Sequence, residues 1–257
     1  MDISELETSA GQPAPVNGKS FSWNSTALTD VGRVRKLNED SVLDRGEDGL
    51  WVVADGMGGH SAGDLASQLI VNSLSKLKSE DNLAEFVDVV ESAVVGVNAR
   101  LFEVANAHNQ TSGSTVVLLL TRGPFAVAMW AGDSRLYRLR EDTIEQLSSD
   151  HTQVELYIEK GLLDRSEAEG HPSGNMVTRA VGVTNNLLLE MDLFELRKGD
   201  RFLLCSDGLD KHVRDPEIEE IMRGESTDAI TRNLVDLTLE RGATDNVTVC
   251  VIEFNES

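Results

Sequence analysis

The chain has 257 residues, with 23 Lys and Arg against 44 Asp and Glu, for a net charge of −21. That acidity opposes nucleic acid or an anionic membrane surface as the main partner, because like charges repel at long range. With 40% hydrophobic residues and only Cys205 and Cys250, each in an apolar run, the composition fits a soluble globular protein without a disulfide scaffold, and a cytoplasmic location is expected.

Residues 1–25 carry Gly11, Pro13, Pro15 and Gly18 and no targeting pattern, which predicts a flexible tail before one domain over 26–257. Short strands are predicted at Asn38–Asp44 and Leu50–Ala54, the second ended by Asp55-Gly56. From Ala62 the period changes, and Leu65, Leu69, Leu74 and Leu77 recur at helical spacing. A longer helix over Leu83–Ala107 aligns Phe86, Val87, Val90, Val94, Val97, Leu101 and Val104 on one stripe. Strands follow at Ser114–Thr121, Phe125–Trp130 and Arg135–Arg140, divided by Gly123-Pro124 and Gly132-Asp133. A helix is predicted around Thr152–Lys160, and Gly161–Asn186 reads as irregular. Strands resume at Leu187–Leu196 and Arg201–Ser206. Asp215, as N-cap, and Pro216 open another helix, Ile230, Leu234, Leu237 and Leu239 mark one more, and Asn246–Phe254 is the last strand. Runs of strands broken by helices predict an α+β class with mainly antiparallel sheets. No apolar run reaches the length of a membrane span.

The pattern that carries chemistry is an aspartate recurring beyond apolar strands. Leu50–Ala54 leads into Asp55-Gly56, Phe202–Ser206 into Asp207-Gly208, and Ala128–Gly132 into Asp133, while Thr244-Asp245-Asn246 opens the last strand. One Asp-Gly after a strand is ordinarily a turn. Four such acids at one rim of packed sheets would repel and raise one another's pKa unless cations neutralised them. An oxygen-only ligand set favours Mg²⁺ or Mn²⁺ over zinc. Competing motifs are weaker. The five histidines show no paired-ligand spacing, and Gly56, Gly58 and Gly59 precede no Gly-Lys-Ser/Thr. Neither cysteine has the downstream arginine that a cysteine-based phosphatase needs.

Seven motifs then stand in a familiar order: Val34–Asp40, Asp55-Gly56-Met57-Gly58-Gly59-His60, Ser112-Gly113-Ser114-Thr115, Gly132-Asp133-Ser134-Arg135, Leu147–His151, Ser206-Asp207-Gly208-Leu209 and Asp245-Asn246. Over about Thr26–Phe254 the chain resembles the metal-dependent protein serine/threonine phosphatases, the protein phosphatase 2C or PPM family, in their compact bacterial form. The resemblance implies a central antiparallel β-sandwich flanked by helix pairs, in α-β-β-α layers, with a metal centre at one end. It implies hydrolysis of phosphoserine and phosphothreonine in proteins by a hydroxide bridging two metal ions. The cofactors implied are Mn²⁺ or Mg²⁺ in two tight sites, with a third, weaker one. Asp55 then matches the bridging carboxylate, with the Gly56 carbonyl on one metal, and Asp207 and Asp245 match further ligands. Asp133 matches a ligand of the third site, Arg35 the residue that binds substrate phosphate, and Glu39 and Asp40 acids that hold metal-bound water.

Two positions depart from the broader family. Met57 stands where many members have a histidine, and Lys211 where a further acidic third-metal ligand is common. Gly161–Asn186 corresponds to the variable flap beside the site. The partners implied are phosphorylated proteins, among them a cognate bacterial Ser/Thr kinase and its substrates, with forkhead-associated-domain proteins one candidate class. A monomer is expected. The alternative from another class is a catalytically silent phosphoprotein-binding adaptor of the same fold, which the complete acid set opposes. A two-metal nuclease is opposed by the net charge and the lack of a basic strip.

Overall fold

The computed structural model describes residues 21–58, 62–108, 112–168, 170–174 and 176–256. Two antiparallel sheets form its centre. One has the order β1 (Phe21–Asp30), β11 (Val247–Glu256), β10 (Arg201–Cys205), β7 (Arg135–Arg140), β8 (Thr143–Gln146). The other runs β2 (Asp40–Arg45), β3 (Leu50–Gly58), β5 (Val116–Arg122), β6 (Phe125–Ala131), β9 (Glu190–Glu195), with β4 (Ser112–Ser114) paired to the far end of β3.

The near-continuous apolar runs of β3 and β5 follow from burial on both faces. Leu50, Val52 and Ala54 turn toward α1 (Ala62–Leu74) and α2 (Leu83–His108), where they meet Ile70, Phe86, Val90 and Val94. The alternate residues, Trp51 and Val53, turn inward to Phe202, Phe254 and Ile252 of the other sheet. The five-stranded sheet covers its outer face with α5 (Asp215–Met222) and α6 (Thr227–Glu240), through Ile218, Met222, Ile230 and Leu234. The result is the expected helix–sheet–sheet–helix layering. Between the sheets, Trp51 packs edge-on against Trp23 at 5.8 Å and Phe254 at 6.0 Å, contacts worth about 0.5–1.5 kcal/mol each beyond their burial.

Several local expectations change. Residues 1–20 of the expected tail lie outside the described residues, and 21–25 are strand: β1 pairs with β11 from Phe21↔Glu256 to Asp30↔Val247. Phe21-Ser22-Trp23-Asn24 does alternate, but the inward face continues through Ser25, Ala27 and Thr29, small or polar residues that carry little hydrophobic signal; Ser25 bonds Asp44 and Thr29 bonds Thr248. The short hairpin strand β8 also escapes the sequence reading. Asp55-Gly56 does not end β3, which continues to Gly58 by pairing with β4. Leu65 is exposed and Leu77 lies past the end of α1, whose buried face is Gly63, Ala66, Ser67, Ile70 and Leu74. Asp215 is the first residue of α5, not its cap. Arg214 precedes it, with the Arg214 N–H donating to Glu217. Thr152 does cap α3 (Gln153–Glu159), accepting from the Glu155 N–H at 3.2 Å.

The layering places the site. β3, β6 and β10 end, and β2, β7 and β11 begin, at the same edge of the sandwich: Asp40 is registered against Asp55, and Cys205 against both Arg135 and Val249. The candidate acids, whether in the strands or in the connections beyond them, therefore stand at one rim.

Candidate metal centre

At that rim a cavity of about 400 Å³ is lined by Asp55, Gly56, Asp133, Asp207 and Asp245, with Arg35 and Glu39 at its side. The structure thus gathers all but one of the site residues predicted from sequence. The exception, Asp40, lies one layer deeper. It is buried, and its Oδ2 accepts 2.7 Å hydrogen bonds from the hydroxyls of Ser206 and Thr248. Those bonds tie β2 of one sheet to the end of β10 and the start of β11 in the other. Gly59 and His60 of the motif that contains Asp55 lie outside the described residues.

Backbone approach explains the glycines. A Cβ on Gly56 would sit 2.1 Å from the Gly63 carbonyl oxygen, and one on Gly208 would sit 1.8 Å from that of Asn246. Neither position tolerates a side chain, so the backbone at both can close against its neighbours. Asp55 is further held by its backbone: its N–H donates to Thr115 Oγ1 and its carbonyl accepts from the Thr115 N–H.

The electrostatics are those of acids crowded out of water. Burial pushes Asp55 well above the usual carboxylate range, helped by Asp40, Asp207, Asp133 and Asp245. Burial likewise lifts Asp133 to about 7, with Asp207 and Asp150 adding to it. Asp40 rises to about 6, burial and its acidic neighbours outweighing its two hydroxyl donors. Glu39 is raised by burial as well. Asp245 goes the other way. Burial alone would raise it, but Lys211 and Arg35 together hold it below the ordinary range. Arg35 meets Asp245 with a fork, Nε to Oδ1 and Nη2 to Oδ2, both 2.9 Å. Lys211 Nζ lies 2.6 Å from Asp207 Oδ2 and 3.0 Å from Asp245 Oδ2.

Three framework residues carried no assigned role in the sequence reading. Asn246, buried beside Asp245, accepts from the Glu39 N–H at 2.8 Å and donates to the carbonyls of Val31 and Leu37 at 2.9 Å, pinning the loop that carries Arg35. Arg135 holds Asp150 at 2.7 Å and Asp210 at 3.1 Å beneath Asp133. His151 accepts from the Gly132 N–H at 3.0 Å and bonds Glu190 at 3.1 Å. Their signal was membership of the ordered motifs, and nothing in the residue types alone separated them from surface polar groups. Val177 of the irregular segment lines the cavity, and bridges Thr152↔Val177 and Ser114↔Val181 fasten that segment to the framework.

The donor chemistry fits divalent cations. The carboxylates are crowded and partly buried, Gly56 lines the cavity with them, and Asp207 Oδ1 is buried with no hydrogen-bond partner among the described residues. As the side chains stand, no three carboxylate, imidazole or thiol groups among the described residues converge on one point. The cations at Asp207 and Asp245 are Lys211 and Arg35.

Comparison with known proteins agrees with this geometry. The protein phosphatase 2C family model matches residues 33–241. The serine/threonine protein phosphatase PstP of Mycobacterium tuberculosis is 34% identical over 229 residues, which cover 88% of this chain and 44% of that protein. The chain thus spans less than half the length of that relative. PppA of Pseudomonas aeruginosa, described as a key regulatory component of T6SS, aligns with a TM-score of 0.84 at 43% identity, over 91% of this chain and 98% of that one. A PstP catalytic domain solved in complex with two manganese ions aligns at 0.83 and 32% identity, over 92% and 100%. With the motif order, the layered sandwich and the family match in agreement over most of its length, this chain belongs to the protein phosphatase 2C family.

Proposed function

We propose that the chain is a metal-dependent protein phosphatase that hydrolyses phosphoserine and phosphothreonine, with Asp55, Gly56, Asp207 and Asp245 holding two Mn²⁺ or Mg²⁺ ions. The observation that carries this reading is the convergence on one cavity of four carboxylates from four separate parts of the chain, Asp55 of β3, Asp133, Asp207 and Asp245, with an arginine beside them. The manganese pair named for the PstP catalytic domain supports it. Bound there, the two ions supply positive charge to the phosphoryl group and lower the pKa of the attacking water.

The chain's own residues do the rest. Arg35, tied to Asp245 through Nε and Nη2, offers Nη1 and its charge to the phosphate oxygens and sets the ester's orientation. Asp40, fixed by two hydroxyls, backs Asp55 and with Glu39 supplies acceptors for ordered water. Asp133 adds a ligand for a third, weaker ion near the flap. Met57 has no proton to give, so the departing alkoxide takes its proton from water. Phosphorylated proteins, among them a cognate Ser/Thr kinase and its targets, are the substrates, and the chain acts as a cytoplasmic monomer. No helix of the described residues is long and apolar enough to cross a membrane.

The test is hydrolysis of p-nitrophenyl phosphate and a phosphothreonine peptide, with Mn²⁺ and with EDTA, beside a DNA substrate. Manganese-dependent release of phosphate from both esters and none from DNA is expected. Phosphopeptide binding without turnover would make the chain an adaptor, and DNA cleavage would make it a nuclease.

A further inference from the structure

Lys211 stands where its family resemblance leads one to expect an acid, and its side chain does something specific. Asp207 opens α4 (Asp207–Asp210), a single helical turn, and Lys211 closes that turn with its N–H on the Asp207 carbonyl at 3.1 Å. The i,i+4 spacing folds the ammonium back over Asp207, and it also reaches Asp245, which arrives from the distant α6–β11 connection. One side chain therefore bridges two of the three carboxylates proposed as ligands of the tight metal sites.

The oxygens of that pair are largely taken. Asp245 Oδ2 accepts from Lys211 and from Arg35 Nη2, and Oδ1 faces Arg35 Nε and the Asn246 N–H. Asp207 Oδ2 is held by Lys211, while Oδ1 is left buried without a partner among the described residues. A divalent cation needs lone pairs from both residues, and an ammonium on the same oxygens both occupies them and repels the ion.

We propose that Lys211 is a tethered competitor at the metal centre: it holds the oxygens of Asp207 and Asp245 that a divalent cation needs, and binding of the cation is coupled to withdrawal of the ammonium. The proposal rests on the assignment of Asp207 and Asp245 as metal ligands. A place for the displaced charge exists. Lys211 also lines a neighbouring cavity of about 800 Å³, with Asp133, Asp150 and Asp210 on its wall, and Asp210 Oδ1 there is buried and unpartnered among the described residues. The same lysine has two effects. It neutralises the acid pair when no metal is present, and it weakens the site for metal, so that activity answers to the free Mn²⁺ concentration.

Calorimetric titration of Mn²⁺ into the EDTA-treated, dialysed full chain reads the coupling without any assay of turnover. Lys211→Met keeps most of the stem and removes the charge. It should bind Mn²⁺ about tenfold more tightly, the size of one partly buried ion pair. It should also melt lower than wild type in EDTA, with the gap closed or reversed at saturating Mn²⁺. A lysine with only a packing role would lower Tm equally in both conditions. Lys211→Arg, which keeps the charge, should match wild type in EDTA and bind Mn²⁺ no more tightly. Unchanged or weaker Mn²⁺ binding by folded Lys211→Met overturns the proposal and leaves the ligand assignment standing. No Mn²⁺ binding by wild type, or an isotherm that Asp207→Asn leaves unaltered, overturns the assignment and the proposal with it. If Lys211→Met does not fold, Lys211→Gln is read by the same criteria.

Discussion

Asp55 stands among four other acids, Asp40, Asp207, Asp133 and Asp245, each of which raises its pKa further. An amide in its place relieves that repulsion and forfeits a proposed metal ligand, so stability and activity should part company. Asp55→Asn and Asp207→Asn are each expected to lower manganese-dependent turnover by more than about a hundredfold, since even outer-shell partners of a metal are worth 10–100-fold. The melting temperature of Asp55→Asn in EDTA should hold or rise, whereas Asp207→Asn also gives up the ion pair with Lys211 and should melt lower. Turnover retained in either variant would remove that residue from the ligand set. Arg35 differs, because in its proposed role its guanidinium would meet phosphate in the ground state and the transition state alike. Arg35→Ala should raise KM for a phosphopeptide about tenfold, the loss of one charge-assisted contact, with kcat within a few-fold of wild type. A fall in kcat at constant KM would assign it to the transition state alone.

At the scale of elements, the loop between β1 and β2 has no regular structure of its own and borrows rigidity from Asn246. The buried amide satisfies one N–H and two carbonyls there, bonds worth about 1 kcal/mol each. Asn246→Ala should therefore cost about 3 kcal/mol and lower Tm by several degrees. It should also raise KM as Arg35→Ala does, because the arginine is no longer held at the cavity. Thermal melts and steady-state kinetics on the same preparation check this, and an unchanged KM would show that Asp245 alone positions Arg35. The irregular segment 161–186 has comparable anchors in its two isolated bridges and in Asn98, which accepts from the Gly182 N–H at 2.7 Å. Helix α2 thus reaches the border of the site through one buried side chain.

For the molecule as a whole, the concentration of acids at one rim sets a pH dependence. Burial and neighbouring acids push Asp133 to about 7 and Asp210 to about 8, far above the ordinary aspartate value of 3.8. The native state therefore binds protons that the unfolded chain has released. Stability from these neutral carboxyls is full below about pH 4 and is lost as pH rises through about 7 and 8. His151 and His212, held below 6.5 chiefly by burial, act in the opposite sense, but only up to that pH. In EDTA, Tm should accordingly fall between pH 6.5 and 8.5. Mn²⁺ ligation requires ionised carboxylates, so the gain in Tm on adding Mn²⁺ should be larger at pH 8 than at pH 6. Calorimetry at the two pH values tests both signs, and an equal gain at each would mean that the rim acids are already ionised.

The sequence by itself determined the class of fold, the family and the identity of the crowded acids. These are carried by local signals: the helical period of α2, the doubly apolar strands β3 and β5, and aspartates placed just at or beyond strand ends. It also located Lys211 as a departure. It did not show that Phe21–Asp30 is a strand, because Ser25, Ala27 and Thr29 on its inward face are too small or polar to extend the alternation that Phe21 and Trp23 begin, and only pairing with β11 defines it. Nor did it show that Asp40 sits behind Asp55, that Asn246 pins the Arg35 loop, or that Lys211 spans Asp207 and Asp245. Those relations join residues up to 215 positions apart and exist only once two sheets have packed and brought separate connections to one rim. Residue type says what a side chain can bond to. Which partner it meets is decided by tertiary packing, because hydrogen bonds and ion pairs act over a few ångströms and chain separation carries no information about that distance.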